Sequence, residues 1–149
     1  MAISADVHVN EQFLKILPPL TITTAIGATA TTPVTNLGGM KYVAVECKFV
    51  YGSGGTTVDV YIQTSLDGGL TWIDIMEFDF TTASANKVNS VTIAPSVVTN
   101  FPPVSVVDGS LAINTSVQGV LGDRLRAKYI TVGTYGGSTS LAIYATVKG

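Results

Sequence analysis

KYVAVECKFVYGSGGTTVDVYIQT, residues 41–64, is the stretch that decides the fold class. Val43, Val45, Cys47 and Phe49 occupy alternate positions, and Tyr42, Ala44, Glu46 and Lys48 fill the places between them. A period of two puts these sets on opposite faces of a β-strand. Gly52-Ser53-Gly54-Gly55 interrupts the pattern. Thr57 to Thr64 then resumes it, with Val58, Val60 and Ile62 inward and Asp59, Tyr61 and Gln63 outward. Two alternating runs separated by a glycine-rich turn read as a β-hairpin.

The next strand, Thr71 to Phe80, breaks phase: Ile73 and Ile75 share one face, while Met76, Phe78 and Phe80 share the other. A β-bulge near Asp74–Met76 returns both sets to the core; the alternative is a strand buried on both faces, and the bulge is preferred. Lys87 to Ile93 and Val104 to Val107 read as further strands, set among Pro95, Pro102 and Pro103 and followed by the glycine-punctuated DGSLAINTSVQGVLGD, residues 108–123. So long a stretch with little regular pattern is uncommon in a compact domain and is usually functional or interfacial. Arg124 to Val132 and Ser140 to Lys148 alternate cleanly around Gly133–Thr139 and read as a closing hairpin, with Leu141, Ile143, Ala145 and Val147 inward. At the other end, Phe13 to Leu17 is an apolar run stopped by Pro18-Pro19, Leu20 to Thr24 a short strand, and Ile26 to Gly39 a polar surface loop. The expected fold is an all-β sandwich, jelly-roll-like, of seven to eight mostly antiparallel strands. Residues 1–39 are an arm, edge strand and loop, and residues 40–149 are the body of what is one domain overall.

Composition supports this and excludes much else. Thr occurs 20 times and Val 19 times among 149 residues, and both are β-branched and suit a pleated strand. Charged residues are 12% of the chain and mean hydropathy is +0.43. That balance requires folding and leaves apolar surface for neighbouring subunits to cover, so self-association is expected. A monomer with a neutral Thr/Ser/Gly-rich surface is the alternative. A net charge of −2 gives no footprint for nucleic acid. No apolar run reaches the roughly 20 residues of a membrane span, and the opening Met-Ala-Ile-Ser-Ala-Asp does not read as a secretory leader.

Few residues offer chemistry. His8 is the only histidine and Cys47 the only cysteine; Cys47 falls on an inward face, where a buried thiol is the expectation. No P-loop, dinucleotide-binding or C-x-x-C pattern occurs, so neither catalysis nor a cofactor is expected. Asp59, Asp67, Asp74, Asp79, Asp108 and Asp123 lack the spacing of a calcium-binding loop, and no metal site is expected. Arg124, Arg126 and Lys128 form a basic ladder, read as a solvated edge or a partner contact.

Ser65-Leu66-Asp67-Gly68-Gly69-Leu70-Thr71-Trp72 resembles the S-x-D-x-G-x-T-W Asp-box of sialidase-like propellers. A single copy cannot make a propeller. Ser65, Asp67, Gly68, Gly69, Thr71 and Trp72 are therefore expected to build a structural turn, Asp67 accepting from turn N–H groups and the glycines taking positive φ.

Val58 to Ile75, Phe78 to Val88 and Leu121 to Lys128 together resemble small structural proteins of tailed-bacteriophage virions, over residues 58–128. The resemblance implies a β-sandwich that decorates or cements the head, often as a trimer, or else serves in the tail. It also implies a place in the virion, assembled in the host bacterial cytoplasm, with the major capsid protein or other virion proteins as partners. The expected contacts are apolar residues in weakly patterned segments: Phe13, Leu14, Ile16 and Leu17 in the arm, and Phe101, Val104, Leu111, Ile113 and Val117 in the long loop. A tail, adaptor or fibre-base subunit is the second reading. A carbohydrate-binding sandwich using Tyr61, Trp72, Tyr135 and Tyr144 is the third.

Overall fold

The computed structural model describes residues 11–94 and 103–149. Its strands are β1 (Glu11–Thr21), β2 (Thr29–Ala30), β3 (Tyr42–Val50), β4 (Ser53–Gly54), β5 (Thr57–Thr64), β6 (Ile73–Phe80), β7 (Ala85–Thr92), β8 (Leu125–Val132), β9 (Tyr135–Gly136) and β10 (Ser140–Lys148), with no helix among the described residues. Two antiparallel four-stranded sheets, ordered β1-β10-β3-β7 and β2-β8-β5-β6, enclose the core. Followed along the chain, the strands of these sheets change sheet at every step except β5 to β6. This is the jelly-roll arrangement of an all-β sandwich.

The inward faces are those the alternation predicts. Val43, Val45, Phe49, Val58, Val60, Ile62, Leu141, Ile143 and Val147 are all buried, and each fully buried aliphatic side chain contributes about 1.5–3 kcal/mol. Cys47 is buried among them, and burial pushes its thiol far above the usual range, with the nearby carboxylates Glu46 and Glu77 adding to the shift. The bulge in β6 falls at Ile75: Met76 pairs with Ile62, and Asp74 pairs with Gln63. It brings Ile75, Met76, Phe78 and Phe80 into the core together.

Two expected hairpins are crossovers instead. Gly52–Gly55 carries the chain from β3 in one sheet to β5 in the other, and Gly133–Thr139 does the same between β8 and β10. Alternation identifies the strands but not their partners, because an inward face packs inward whether the chain returns within a sheet or arches over the core. The two arches pair with each other through β4 and β9. They approach so closely that a Cβ on Gly52 would sit on the Gly137 carbonyl oxygen, which only glycine permits. Buried Thr139 ties them further, its Oγ1 accepting from the Gly52 N–H at 2.9 Å and donating to the Gly136 carbonyl at 2.6 Å.

The segment expected as arm, edge strand and loop belongs to the sandwich from Glu11 onward, with the edge strand reaching back through the part expected as arm. β1 runs through Pro18-Pro19 along the edge of its sheet, with register shifts between Lys15 and Leu17 and between Leu17 and Leu20. Pro18 and Pro19 are tolerated because both fall in the irregularity between Leu17 and Leu20, where an edge strand pairs with no residue of β10 and needs no N–H. Residues 26–37 lie along β8, where the N–H groups of Thr31, Val34 and Leu37 donate to Ala127, Leu125 and Asp123. Val104–Val107 is not a strand.

Candidate interaction surface

The hairpin between β5 and β6 is the Asp-box. Ser65 Oγ bonds Asp67 Oδ1 at 2.9 Å and accepts from the Gly69 N–H at 2.9 Å, while Asp67 Oδ1 also accepts from the Thr71 N–H at 2.8 Å. The Thr71 N–H, with the neighbouring hydroxyls, holds the Asp67 carboxyl below its ordinary pKa. Gly68 and Gly69 take φ of 75° and 92°, and Trp72 is buried beneath the turn, with the Arg126 guanidinium 4.2 Å from its ring centre. The turn leaves Leu66 and Leu70 exposed at 64% and 88%.

Beside it, the β7–β8 connection closes the open side of the sandwich. Val107 and Thr115 carbonyls accept from the Asp74 and Glu77 N–H groups on the edge of β6, and the Val117 N–H donates to Ile75. Gly119 then donates to Thr92 at the end of β7. An edge covered in this way is not available for strand pairing.

What pins the loop is a buried polar network on the outer face of β5, β6 and β8. Asp74, fully buried, accepts from the successive N–H groups of Gly109, Ser110 and Leu111 at 2.8–3.1 Å, a backbone nest closed around a carboxylate. Gln63, also fully buried, donates Nε2 to Asp74 and Asp108 and accepts from Arg126 Nε at 2.7 Å. Lys128 Nζ reaches Asp108 at 3.0 Å. Burial raises the Asp108 pKa, but the Gln63 amide and the Lys128 ammonium outweigh it and hold the carboxyl low. Gln63 therefore does not face solvent as alternation suggests, and β6 is buried on both faces over Asp74–Phe78 as well as bulged. Two members of the basic ladder, Arg126 and Lys128, are taken up inside the chain. The third, Arg124, pairs with Asp123 and donates to the Gly68 carbonyl at 2.8 Å.

The pinned loop and the Asp-box hairpin flank a cleft of about 540 Å³ whose walls include Leu66, Ile73, Val104, Val106, Leu111 and Val117. Val104 and Val106 are 62% and 54% exposed. Of the expected contacts, Val104, Leu111 and Val117 meet here, and Ile113 is exposed elsewhere on the same loop. Phe101 lies outside the described residues, as does His8. Phe13 is exposed on the other sheet, stacked on Tyr144 at 6.0 Å. Leu14 and Ile16 do not fit the expectation: strand β1 turns both into the core, and Leu17 packs against it, so the chain itself covers them. Leu66 was not among the expected contacts; its signal is an apolar residue at a free position of the turn motif. Of the aromatics considered for sugar binding, Trp72 and Tyr135 are buried, and the Tyr135 hydroxyl donates to Thr81 O at 2.8 Å.

A second polar cluster lies farther along the outer face of β5 and β6. Asp59 and Asp79 are directly paired across the strands, and Glu77 is next on the same face. One carboxylate oxygen from each lies within 4.8 Å of the others. Burial, then the hydrogen bond and charge of Asp79, raise the Asp59 pKa to about 6. Burial, with the charges of Asp59 and Asp79, lifts Glu77 to about 7, against the opposing pull of the Asn114 N–H and Lys87. Compared with known proteins, the chain matches no family model and no curated protein sequence.

Proposed function

We propose that this chain is a non-enzymatic structural subunit of a bacteriophage virion: a capsid decoration, or cement, protein that works as a homo-oligomer, a trimer being the form favoured, bound across major capsid subunits. The observation that supports it most is the apolar cleft between the Asp-box hairpin and the loop. Leu66 on the hairpin and Val104 and Val106 on the loop are exposed along its walls, yet both elements are fixed by internal hydrogen bonds. Exposed apolar surface on a pre-ordered scaffold suits protein contact, because little ordering entropy is lost on binding. A subunit that binds only the assembled shell stabilises it by mass action and needs no chemistry. Jelly-roll sandwiches serve in viral capsids and also in lectins, so the fold alone does not choose between them.

Sedimentation at micromolar concentration and co-pelleting with empty capsid shells test the reading. The wild type should self-associate and bind shells, and the double variant Leu66→Asp, Val106→Asp should fold but lose shell binding. A clean monomer that leaves shells untouched refutes the cement role and favours a tail or adaptor subunit.

A further inference from the structure

We propose that Asp59, Glu77 and Asp79 form a divalent cation site, suited to Ca²⁺, on the outer face of the β5–β6 hairpin. Two observations point there independently. The first is the spacing: one oxygen from each carboxylate lies within 4.8 Å of the others. Neighbouring oxygens around a Ca²⁺ ion, bound at 2.3–2.6 Å, stand about 3.3–4.5 Å apart, so three oxygens gathered this closely can share one ion, and the flexible coordination of Ca²⁺ accepts an irregular set of carboxylates completed by water. The second is an orphan acceptor. Glu77 is 1% exposed, its Oε2 accepts from the Asn114 N–H, and its Oε1 is buried with no hydrogen-bond partner. Buried carboxylate oxygens are rarely left so, and an ion is one of the few groups that satisfies them.

The surroundings fit. Asp59 and Asp79 are half-buried, so water can reach the site and complete the six to eight oxygens that Ca²⁺ takes. Lys87, whose charge acts on Glu77, is engaged with the Asp79 carbonyl and, at 3.2 Å, with Asn114 Oδ1. Three carboxylates and one ammonium leave a net charge of about −2, which one divalent ion neutralises. Like charges directly across a strand pair repel, and a shared ion turns that repulsion into a cross-link between β5 and β6. Asn114 joins the site to the loop, since its N–H holds Glu77 and its side chain accepts from the Asp79 N–H at 3.2 Å. Cation binding is therefore coupled to the order of residues 112–115.

The test is calorimetric titration of the full chain with CaCl₂ at about pH 7.5, where the raised carboxyl groups are mostly ionised, paired with thermal unfolding. At a hundredfold excess over Kd, Tm should rise by about 5–10 °C relative to EDTA. Asp59→Asn with Asp79→Asn removes repulsion and two ligands, so that variant should fold, match or exceed the wild-type Tm in EDTA, and give no response to Ca²⁺. Glu77→Gln should weaken binding at least tenfold. Absence of both heat and Tm shift in the wild type at millimolar Ca²⁺ overturns the proposal, as does a full response in the double variant.

Discussion

Asp74→Ala is the substitution that most directly probes how the loop is held. The carboxylate is fully buried and accepts from the N–H groups of Gly109, Ser110 and Leu111 and from the Gln63 amide. Hydrogen bonds to a charged group contribute about 1.5–3 kcal/mol each, so a plain sum over four donors reaches roughly 6–12 kcal/mol. That sum overshoots. Gln63 Nε2 keeps Asp108 as an acceptor, and the freed N–H groups recover hydration if the loop lifts. A loss of about 3–5 kcal/mol is expected, a large fraction of the roughly 5–15 kcal/mol of a typical domain.

Urea unfolding gives the global change, and amide hydrogen exchange locates it. Protection at the amides of residues 109–111 and 117 and of Glu77 should fall toward that of exposed amides as the loop lifts, while β3 and β10 lose only the global component, about 10²–10³-fold for some 3–4 kcal/mol. Asp74→Asn should be nearly as damaging, because its amide group presents N–H where the nest requires an acceptor. A change below about 1 kcal/mol with protection intact, or full rescue by Asn, refutes the view that this carboxylate anchors the loop.

The remaining predictions are shorter. Asp67→Ala should lower the urea midpoint without altering the m-value, since the Thr71 N–H and Ser65 hydroxyl lose an acceptor in an exposed turn; shell binding by the folded fraction should persist because Leu66 and not Asp67 lines the cleft, and its loss at unchanged stability would make the Asp67 carboxylate itself a contact. Without divalent cations, stability should fall as pH rises from about 5 to 8. Folded Asp59 and Glu77 hold protons up to about 6 and 7, against ordinary values of 3.8 and 4.5. The native state therefore binds more protons than the unfolded chain in that window, and their stabilising effect is lost above it, on the order of 1–3 kcal/mol after solvent screening. Urea midpoints across this range in EDTA check the sign; a midpoint that climbs toward pH 8 contradicts it.

The strands and their inward faces were legible because burial imposes a period of two that survives in the side chains of Val43 to Phe49 and Val58 to Ile62. Pairing was not. The turn Gly52–Gly55 looks the same in sequence whether β5 lies beside β3 or opposite it; the deciding contact is Gly52 against Gly137, 85 residues away in the chain. Pro18-Pro19 read as a stop because proline removes a donor, but both fall where the β1 ladder skips from Leu17 to Leu20, so neither donor is needed. Likewise Gln63, Asp74 and Arg126 read as surface residues. They occupy outward positions, and residues 107–111 fold over them, burying Gln63 and Asp74 and half-burying Arg126, a consequence of tertiary structure that local alternation does not encode.

The carboxylate cluster was missed for a related reason. Calcium-binding loops present ligands at fixed spacing along one segment, whereas here Asp59 belongs to β5, and Glu77 and Asp79 to β6, so only strand register brings them together. That register depends on the bulge at Ile75. With the extra residue, Met76, Phe78 and Phe80 point into the core, and Glu77 and Asp79 share the outer face with Asp59. If β6 kept every residue and the Gln63–Asp74 pairing but formed no bulge, its remainder would turn over: Asp59 would face Phe78, and two carboxylates would enter the core. The break in phase at Asp74–Met76 is thus a condition for both the hydrophobic core and the acidic cluster. The sequence feature that disturbs ideal alternation is the one that places the candidate cation ligands.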